Sequence, residues 1–342
     1  MKNTLNLLSS IMKSVFVKKP GGAEELYIGS ANIPTIKSSE VIIKVMSSGV
    51  NRMDIMQRQG RYPVPPDASE ILGVECSGLV EESLSEKFSK GDKVMALVSG
   101  GAYSQYVASP DAYCMKIPEN LTFEQAAGIP EVWITAYQLL HLIAEIREGD
   151  NILIHAAASG VGCAAIQLAK LSKANHIIAT SRNFEKLEYC KTLGATTTIT
   201  CDNENKFASK VNEITQGNGV NIILDPIGAT YFDENQNVCT RDTRWVIYGL
   251  MGGSQVNLNI AKLLFKGTSI RTSTLRSRPY EYKRSLIDQF TKTCMKKFED
   301  GTLKTSIDTV FPFEKVKEAH NYMETNMNTG KIILDFSHQF QN

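Results

Sequence analysis

A turn of small residues between a buried strand and a helix is the first feature of this chain that could do chemistry. Residues 152–171 read ILIHAAASGVGCAAIQLAKL, an apolar strand followed by a helix with an apolar face. Ala157, Ser159 and Gly162 stand where the dinucleotide fingerprint G-x-G-x-x-G places its glycines. Such a turn lets the backbone approach a pyrophosphate at the helix start, although it can also serve packing alone. The residues expected to bind phosphate are Ser159, Gly160 and Val161.

The next strand ends without the acid that marks an NAD site. An Asp or Glu about 20 residues past the fingerprint usually binds the ribose hydroxyls of NAD. Here Ser181 and Arg182 follow the strand, and the first acid is Glu185. Hydrogen bonds to a charged 2′-phosphate contribute about 1.5–3 kcal/mol each, so these residues favour NADPH. The alternative is that the basic residues are merely solvated at a helix start. The residues of this region expected to bind the cofactor are Thr180, Ser181, Arg182 and Lys186.

Strands and helices alternate over the middle of the chain. Such alternation predicts an α/β fold, with a parallel sheet covered by helices on both faces. A helix with a long apolar face is predicted at residues 132–146, before the alternation, and the spacing of Thr122 and Gln125 predicts a capping box. The predicted strands are residues 151–155, 176–180, 196–200, 220–224, 244–248 and 269–274, and helices are predicted to begin near Val161, Phe184, Phe207, Tyr231 and Ile260.

The flanking segments follow a different pattern, so the alternating region is predicted to be inserted between two parts of another domain. Short β segments dominate residues 13–118, and the tail, 283–342, alternates helix and strand. A short basic run, Arg276 to Arg284, is predicted to be a solvated helix face. The predicted elements of the flanks are strands at 14–17, 40–46, 78–81, 93–98, 103–107, near Val310 and at 331–335, and helices at 283–299 and 314–323.

Composition excludes several classes of protein. The 342 residues include 37 basic and 36 acidic side chains, a net charge of +1, so a nucleic-acid partner is not expected. Scattered cysteines without a C-x-x-C pair argue for a reducing compartment, and no apolar run reaches the ~20 residues of a membrane span. We expect a cytoplasmic protein. Residues 1–12, an N-terminal extension, partly resemble a mitochondrial targeting segment but contain no Arg.

Motifs along nearly the whole chain resemble the medium-chain dehydrogenase/reductase superfamily, in its zinc-free, zeta-crystallin-like quinone oxidoreductase branch. Within that branch the likeness is greatest to the tumour-suppressor-induced quinone oxidoreductases of animals. The resemblance implies a Rossmann doubly wound sheet, residues 131–275, inserted in a GroES-like β-rich catalytic domain, residues 13–130 and 276–342. The motifs are NRMD (51–54), YP (62–63), HAAASGVG (155–162), LDPIG (224–228), YGLMGG (248–253) and GKIIL (330–334).

The zinc ligands of the superfamily are missing here. Zinc-dependent members carry Cys at the position of Asn51 and His at that of Val74. A catalytic zinc needs three protein ligands, which Glu75 alone cannot supply. We therefore expect no metal, and we expect Glu75 to be a buried carboxylate paired with an Arg or Lys. Without a metal to polarise an alcohol or simple ketone, the acceptor must already be activated, as a quinone or conjugated enone is.

The resemblance also implies the roles of individual residues. It implies that Asn51 and Tyr62 face the nicotinamide and the acceptor, where a Tyr hydroxyl can hydrogen-bond the quinone oxygen and can relay a proton. From the residues alone, Tyr62 could instead pack on Pro63, and Asn51 could be a turn residue. His155 is expected to be structural. Further cofactor contacts are implied for Asn51, Val132, Thr135, Tyr248, Gly249, Leu250, Met251, Ser273 and Leu275, with Lys331 as a phosphate ligand or a solvated strand-start residue.

These observations predict an NADPH-dependent quinone reductase that transfers hydride to a small quinone without zinc or flavin. One alternative is an NADPH-dependent reductase of enone or alkenal double bonds. Another is an NADPH-binding sensor or interaction protein with little turnover. The resemblance further implies a homodimer in which the strand at residues 269–274 pairs with its two-fold mate.

Overall fold

The computed structural model describes residues 11–66, 68–201 and 206–340. The chain forms two compact units, which we call the outer unit (Met1–Glu131 with Arg276–Asn342) and the inserted unit (Val132–Leu275). Of the predicted N-terminal extension, residues 1–10 lie outside the described residues, whereas Ile11 and Met12 belong to the first strand.

Fifteen strands are formed by the described residues. In chain order they are β1 Ile11–Val17, β2 Leu26–Asn32, β3 Glu40–Val50, β4 Glu75–Ser83, β5 Lys93–Leu97, β6 Tyr106–Pro110, β7 Cys114–Lys116, β8 Ile152–Ile154, β9 Ile177–Ser181, β10 Thr197–Thr200, β11 Val220–Asp225, β12 Cys239–Ile247, β13 Ser269–Thr272, β14 Ile307–Pro312 and β15 Lys331–Asp335.

Ten α-helices are formed by the described residues. None of them is long and apolar enough to cross a membrane. In chain order they are α1 Arg52–Arg58, α2 Phe123–Ala127, α3 Pro130–Tyr137, α4 Gly160–Leu171, α5 Phe184–Leu193, α6 Ala208–Ile214, α7 Phe232–Val238, α8 Ile260–Leu264, α9 Tyr280–Glu299 and α10 Val316–Glu324.

The outer unit is built on a mostly antiparallel sheet. Its strands lie in the order β14-β15-β3-β4-β5-β7, and β6 also pairs with β3. The long strand β3 supplies the centre of the core, because every second residue lies on one face and Val41, Ile43 and Val45 are fully buried there. Immediately after β3 the chain enters α1, so residues near the end of β3 and the start of α1 are held on rigid structure.

The inserted unit contains a six-stranded parallel sheet in the order β10-β9-β8-β11-β12-β13. Counted within the unit, this is the order 3-2-1-4-5-6 of a doubly wound nucleotide-binding sheet. The central strand β8 is buried along its whole length, as expected for a sheet covered on both faces. The predicted fold class is therefore confirmed.

Several predicted elements differ from the structure. The helix predicted at residues 132–146 is α3, which ends at Tyr137 and continues as a π-helix, Gln138–Ile143. The wider turn is visible in the bond from Ala144 N to Leu139 O, and an apolar period alone does not reveal it. The strand predicted at 103–107 lies at Tyr106–Pro110, and β2 and β7 were not predicted. The helix predicted from Lys283 begins at Tyr280, directly after Pro279.

Candidate active site

The small-residue turn of the inserted unit is closed by a specific contact. The Gly162 N–H donates to the Ser159 hydroxyl oxygen at 3.2 Å, so Ser159 caps α4. A Cβ on Gly162 would lie 2.4 Å from the Ala157 carbonyl oxygen, so only glycine fits there. The Ala157 N–H donates to the Thr180 carbonyl and ties the turn to the end of β9. The turn therefore keeps the close backbone approach and open helix start that a pyrophosphate requires.

The loop after β9 presents the basic residues predicted to bind the 2′-phosphate. Arg182 is exposed and Lys186 is half-buried. Asn183 caps α5 by accepting from the Lys186 N–H at 3.1 Å, and the Ser181 hydroxyl oxygen accepts from the Asn183 N–H. These contacts fix the loop and leave the Arg182 side chain exposed to solvent.

Thr180 and His155 instead belong to the core. The His155 ring lies 2.8 Å from the Thr180 hydroxyl through Nδ1 and 2.8 Å from the Asn235 side-chain oxygen through Nε2. The Asn235 amide nitrogen donates to Asp225, so its oxygen must accept from His155 Nε2–H. Burial lowers the pKa of His155, which keeps the ring neutral. The structural role predicted for His155 is confirmed, and Thr180 acts by holding the turn.

The remaining predicted cofactor residues lie on the inserted unit at or near loops and at α3. Tyr248 and Gly249 are half-buried at the end of β12, where open parallel sheets bind ligands. The next two residues are strongly exposed, Leu250 at 59%. The chain bends there because the Met251 N–H donates to the Pro226 carbonyl, beyond the end of β11. Val132, Ser273 and Leu275 are buried, and Thr135 is half-buried.

In the outer unit, Lys331 forms a buried ion pair with Glu75 and a hydrogen bond with Asn51. We call these three residues the saturated centre, because every ammonium proton of Lys331 has an acceptor. Its Nζ lies 2.6 Å from Glu75 Oε1, 2.7 Å from Asn51 Oδ1 and 2.9 Å from the Val50 carbonyl oxygen. Three ammonium protons thus meet three acceptors. The prediction that Glu75 is buried and paired with a lysine is confirmed. Lys331 is neither solvated nor available to a phosphate, because it is buried and its donors are used.

Asn51 is held by the same centre. Its amide nitrogen donates to Glu75 Oε1 at 2.8 Å, and its oxygen accepts from Lys331. Its backbone N–H donates to the Asp54 carboxylate at 2.8 Å, which closes the first turn of α1. Both polar ends of the side chain are therefore occupied. Asn51 is placed to orient its neighbours, and no group of three or more His, Cys, Asp or Glu in the described ranges is arranged to hold a metal.

Tyr62 lies beside a buried arginine that was not predicted as a site residue. The Arg276 guanidinium carbon is 5.8 Å from the centre of the Tyr62 ring. Arg276 is only 4% exposed, and Lys283 is also buried, so the prediction of a solvated basic face is wrong for both. Arg276 Nε donates to the Ser99 carbonyl at 2.8 Å, and Nη1 donates to Gln57 Oε1 at 2.7 Å. Tyr62 and Arg276 are so far apart in the chain that no sequence pattern links them.

Two carboxyl groups near this arginine have raised pKa values. Burial and then the charge of Glu75 raise the pKa of Glu131 to about 8. Burial raises the pKa of Asp54 to about 6, against the hydrogen bond from Asn51. The pKa of Tyr62 is raised by burial and by Glu131, and lowered by Arg276. We call Tyr62, Glu131, Arg276 and Lys283 the Tyr62 cluster.

Two family models match the chain. The model described as zinc-binding dehydrogenase matches residues 160–292, and the model described as alcohol dehydrogenase GroES-like domain matches residues 37–119. A human quinone oxidoreductase is 30% identical over 330 residues, which cover 95% of this chain and 98% of that protein. The synaptic vesicle membrane protein VAT-1 homolog of Danio rerio is 31% identical over 317 residues, 88% of this chain but only 65% of the relative's length.

Solved structures of oxidoreductases are also similar to nearly the whole chain. A quinone oxidoreductase of Pseudomonas syringae pv. tomato DC3000 superposes with a TM-score of 0.85 at 28% identity, covering 95% of this chain and 99% of that one. A mycobacterial protein complexed with NADPH superposes at 0.84 and 26% identity, with the same coverage. The CurK enoyl reductase superposes at 0.85 and 25% identity, covering 96% and 99%.

Proposed function

Because the chain belongs to the medium-chain dehydrogenase/reductase family of oxidoreductases, we propose that it is an NADPH-dependent quinone reductase that needs neither zinc nor flavin. The observation that carries this proposal is the composition of the Tyr62 cluster, which offers a phenol, one carboxyl group and two cations but no set of metal ligands. Lys331 meanwhile occupies Glu75 and Asn51 in the place where zinc-dependent members would hold their metal. The relatives that are quinone oxidoreductases support this substrate class.

The acceptor must be one that needs only hydrogen-bond assistance. The bound reduced nicotinamide supplies a hydride. Tyr62 donates a hydrogen bond to the acceptor oxygen, which gains negative charge as the acceptor is reduced. Asn51, held rigidly by Glu75 and Lys331, keeps the start of α1 in place.

The inserted unit supports NADPH as the cofactor. The Gly162 turn admits a pyrophosphate, and Arg182 is exposed at the end of β9 with no acid before Glu185. The mycobacterial relative complexed with NADPH adds to this case. The other proposed cofactor contacts, including Lys186, Tyr248 and Leu275, follow the family pattern.

A double bond is the second candidate acceptor. The likeness to an enoyl reductase favours it, because an enone also accepts hydride without a metal. In that reaction hydride adds to carbon, while Tyr62 assists the oxygen in the same way.

We also propose that two copies of the chain form a dimer through β13. This strand is the edge of the parallel sheet and pairs only with β12 among the described strands. Large apolar side chains are exposed nearby in sequence, including Leu264 at 71% and Phe265 at 79%. An uncovered strand edge and exposed apolar groups are both features that a second copy would bury. A strict monomer in light scattering at micromolar concentration would contradict the dimer.

The test of function is oxidation of NADPH by metal-stripped protein, with 1,2-naphthoquinone and an alkenal run in parallel and NADH as the control cofactor. We expect rapid quinone-dependent oxidation with NADPH and slow oxidation with NADH. Turnover of the alkenal alone would favour the double-bond reductase. Tight NADPH binding without turnover of either acceptor would point to a sensor.

A further inference from the structure

Arg276 is a buried cation whose hydrogen-bond acceptors are neutral. The Ser99 carbonyl and the Gln57 amide oxygen take Nε and Nη1, while Nη2 is buried and meets no acceptor within residues 11–66, 68–201 and 206–340. Buried charges are normally paired with an opposite charge, because an unpaired one is costly. No hydrogen-bond acceptor of this guanidinium therefore carries a charge opposite to its own.

The positive charge is directed at Tyr62. The guanidinium carbon lies 5.8 Å from the ring centre, within the range of a cation–π contact. Gln57 fixes the guanidinium and is itself fixed, because its amide nitrogen donates to the Glu70 carbonyl at 2.9 Å. Lys283 helps to hold this region: its Nζ lies 3.2 Å from the Ser99 hydroxyl, 3.5 Å from the Arg276 carbonyl oxygen and 4.9 Å from the centre of the Tyr113 ring.

Resting on the proposed function, we propose that Arg276 is the positioning residue of Tyr62. It fixes the ring and supplies the charge that stabilises the phenolate left when Tyr62 gives its proton to the acceptor oxygen. The charged groups that act on the phenol are Arg276, which favours the phenolate, and Glu131, which opposes it once ionised.

The proposed step balances. A quinone receives a hydride from reduced nicotinamide, and its oxygen receives a proton from the Tyr62 hydroxyl. The Tyr62 O–H bond breaks as the acceptor O–H bond forms, and the phenolate then takes a proton from water. The sum is one acceptor, one NADPH and one proton giving the reduced acceptor and NADP⁺.

Direct titration of Tyr62 tests the proposal. Fluorotyrosine is incorporated at position 62 of the full-length protein, and the pH midpoint of its fluorine NMR signal is measured in the parent, in Arg276→Gln and in Arg276→Lys. We expect the midpoint to rise by about one pH unit in Arg276→Gln, because an adjacent opposite charge shifts a titration by at least that much. Arg276→Lys keeps the charge and should restore at least half of the shift.

The titration is repeated with Glu131→Gln added to the parent and to each Arg276 variant, so that ionisation of Glu131 cannot cause the shift in the midpoint of Tyr62. Circular dichroism checks folding. If Arg276→Gln does not fold, Gln57→Met keeps the charge but frees the guanidinium, and it should move the midpoint in the same direction by less. An unchanged midpoint in whichever of these variants folds would overturn the proposal.

The catalytic role of Tyr62 is tested separately. Tyr62→Phe should lower kcat for quinone about a hundredfold and leave NADPH affinity unchanged. If Tyr62→Phe is fully active, the proposed role of Tyr62 in function fails. If it is impaired but the midpoint of Tyr62 does not depend on Arg276, only the inference about Arg276 fails.

Discussion

Lys331 and Arg276 are both buried cations of the outer unit, and they are bonded in opposite ways. Each of the three ammonium protons of Lys331 has an acceptor, and one of these acceptors is the Glu75 carboxylate at 2.6 Å. Arg276 has only neutral acceptors in the described part of the chain, and its Nη2 has none there. The first cation is hydrogen-bonded to a carboxylate, whereas the second is not.

The difference separates a structural charge from a functional one. Removing one member of a saturated buried pair exposes the other to an apolar environment, so its loss should appear mainly in stability. A cation with unused donors contributes less to folding, and its loss should appear mainly in the chemistry of the group that it faces. Substitutions at the two positions should therefore have different readouts.

The largest expected effect is on stability at the saturated centre. Lys331→Met leaves the Glu75 carboxylate buried without its cation, and we expect a loss of about 3–5 kcal/mol in the free energy of unfolding. Urea denaturation measures it. The double variant Lys331→Met with Glu75→Gln removes both charges and should recover much of the loss. A Lys331→Met protein as stable as the parent would show that the pair is not a structural charge.

An exposed cation extends the comparison to the inserted unit. Arg182 carries no buried partner to lose, so Arg182→Ala should leave the unfolding free energy nearly unchanged. It should weaken NADPH binding at least about tenfold through the lost phosphate contact, with little change for NADH. Calorimetric titration with both cofactors measures this, and Lys191→Ala, on the surface of α5, is the matched control. Equal weakening of both cofactors would remove Arg182 from the phosphate site.

The third prediction concerns Arg276 itself. Arg276→Gln should lower kcat for quinone about tenfold, in proportion to a change of one pH unit in the acidity of Tyr62. It should leave NADPH affinity unchanged and cost less unfolding free energy than Lys331→Met. The control is Arg284→Gln, on the exposed side of α9. A stability loss larger than that of Lys331→Met would mean that Arg276 is the structural cation and would reverse the comparison.

Contacts between neighbours in the chain could be predicted from the sequence, whereas contacts between distant residues could not. The Gly162 turn and the capping box of Thr122 with Gln125 are local, so their residues are neighbours in the chain and their patterns are visible there. The pairing of Glu75 with a lysine was predicted, but Lys331, its partner 256 residues away, was not identified. Gln57 and Arg276, which are hydrogen-bonded to each other, are also far apart in the chain, and their contact was not predicted.

Burial was the property that sequence patterns described least well. The basic run from Arg276 was predicted to be solvated because charged residues usually are, yet two of its members are buried. The π-helix after α3 has the apolar period of an ordinary helix, so its wider turn leaves no sequence signal. Tertiary contacts decide both outcomes.

The last prediction concerns Glu131, whose ionised carboxylate would oppose the effect of Arg276 on Tyr62. The pKa of Glu131 is raised from 4.5 to about 8, chiefly by burial, so the folded protein holds a proton there that the unfolded chain has released. Between about pH 4.5 and 8 the folded state therefore binds more protons, and stability falls as pH rises through this window. Asp54, with a pKa of about 6, contributes in the same direction only at the lower end.

Urea denaturation between pH 6 and 8 isolates the contribution of Glu131. Glu131→Gln should flatten the fall in stability across that range, whereas Glu119→Gln, on an exposed side chain, should not. The parent slope persisting in Glu131→Gln would mean that Glu131 is ionised throughout and already neutralises Arg276. A flattened slope would mean that, near neutral pH, Glu131 is mostly protonated, so that it does not oppose the effect of Arg276 on Tyr62.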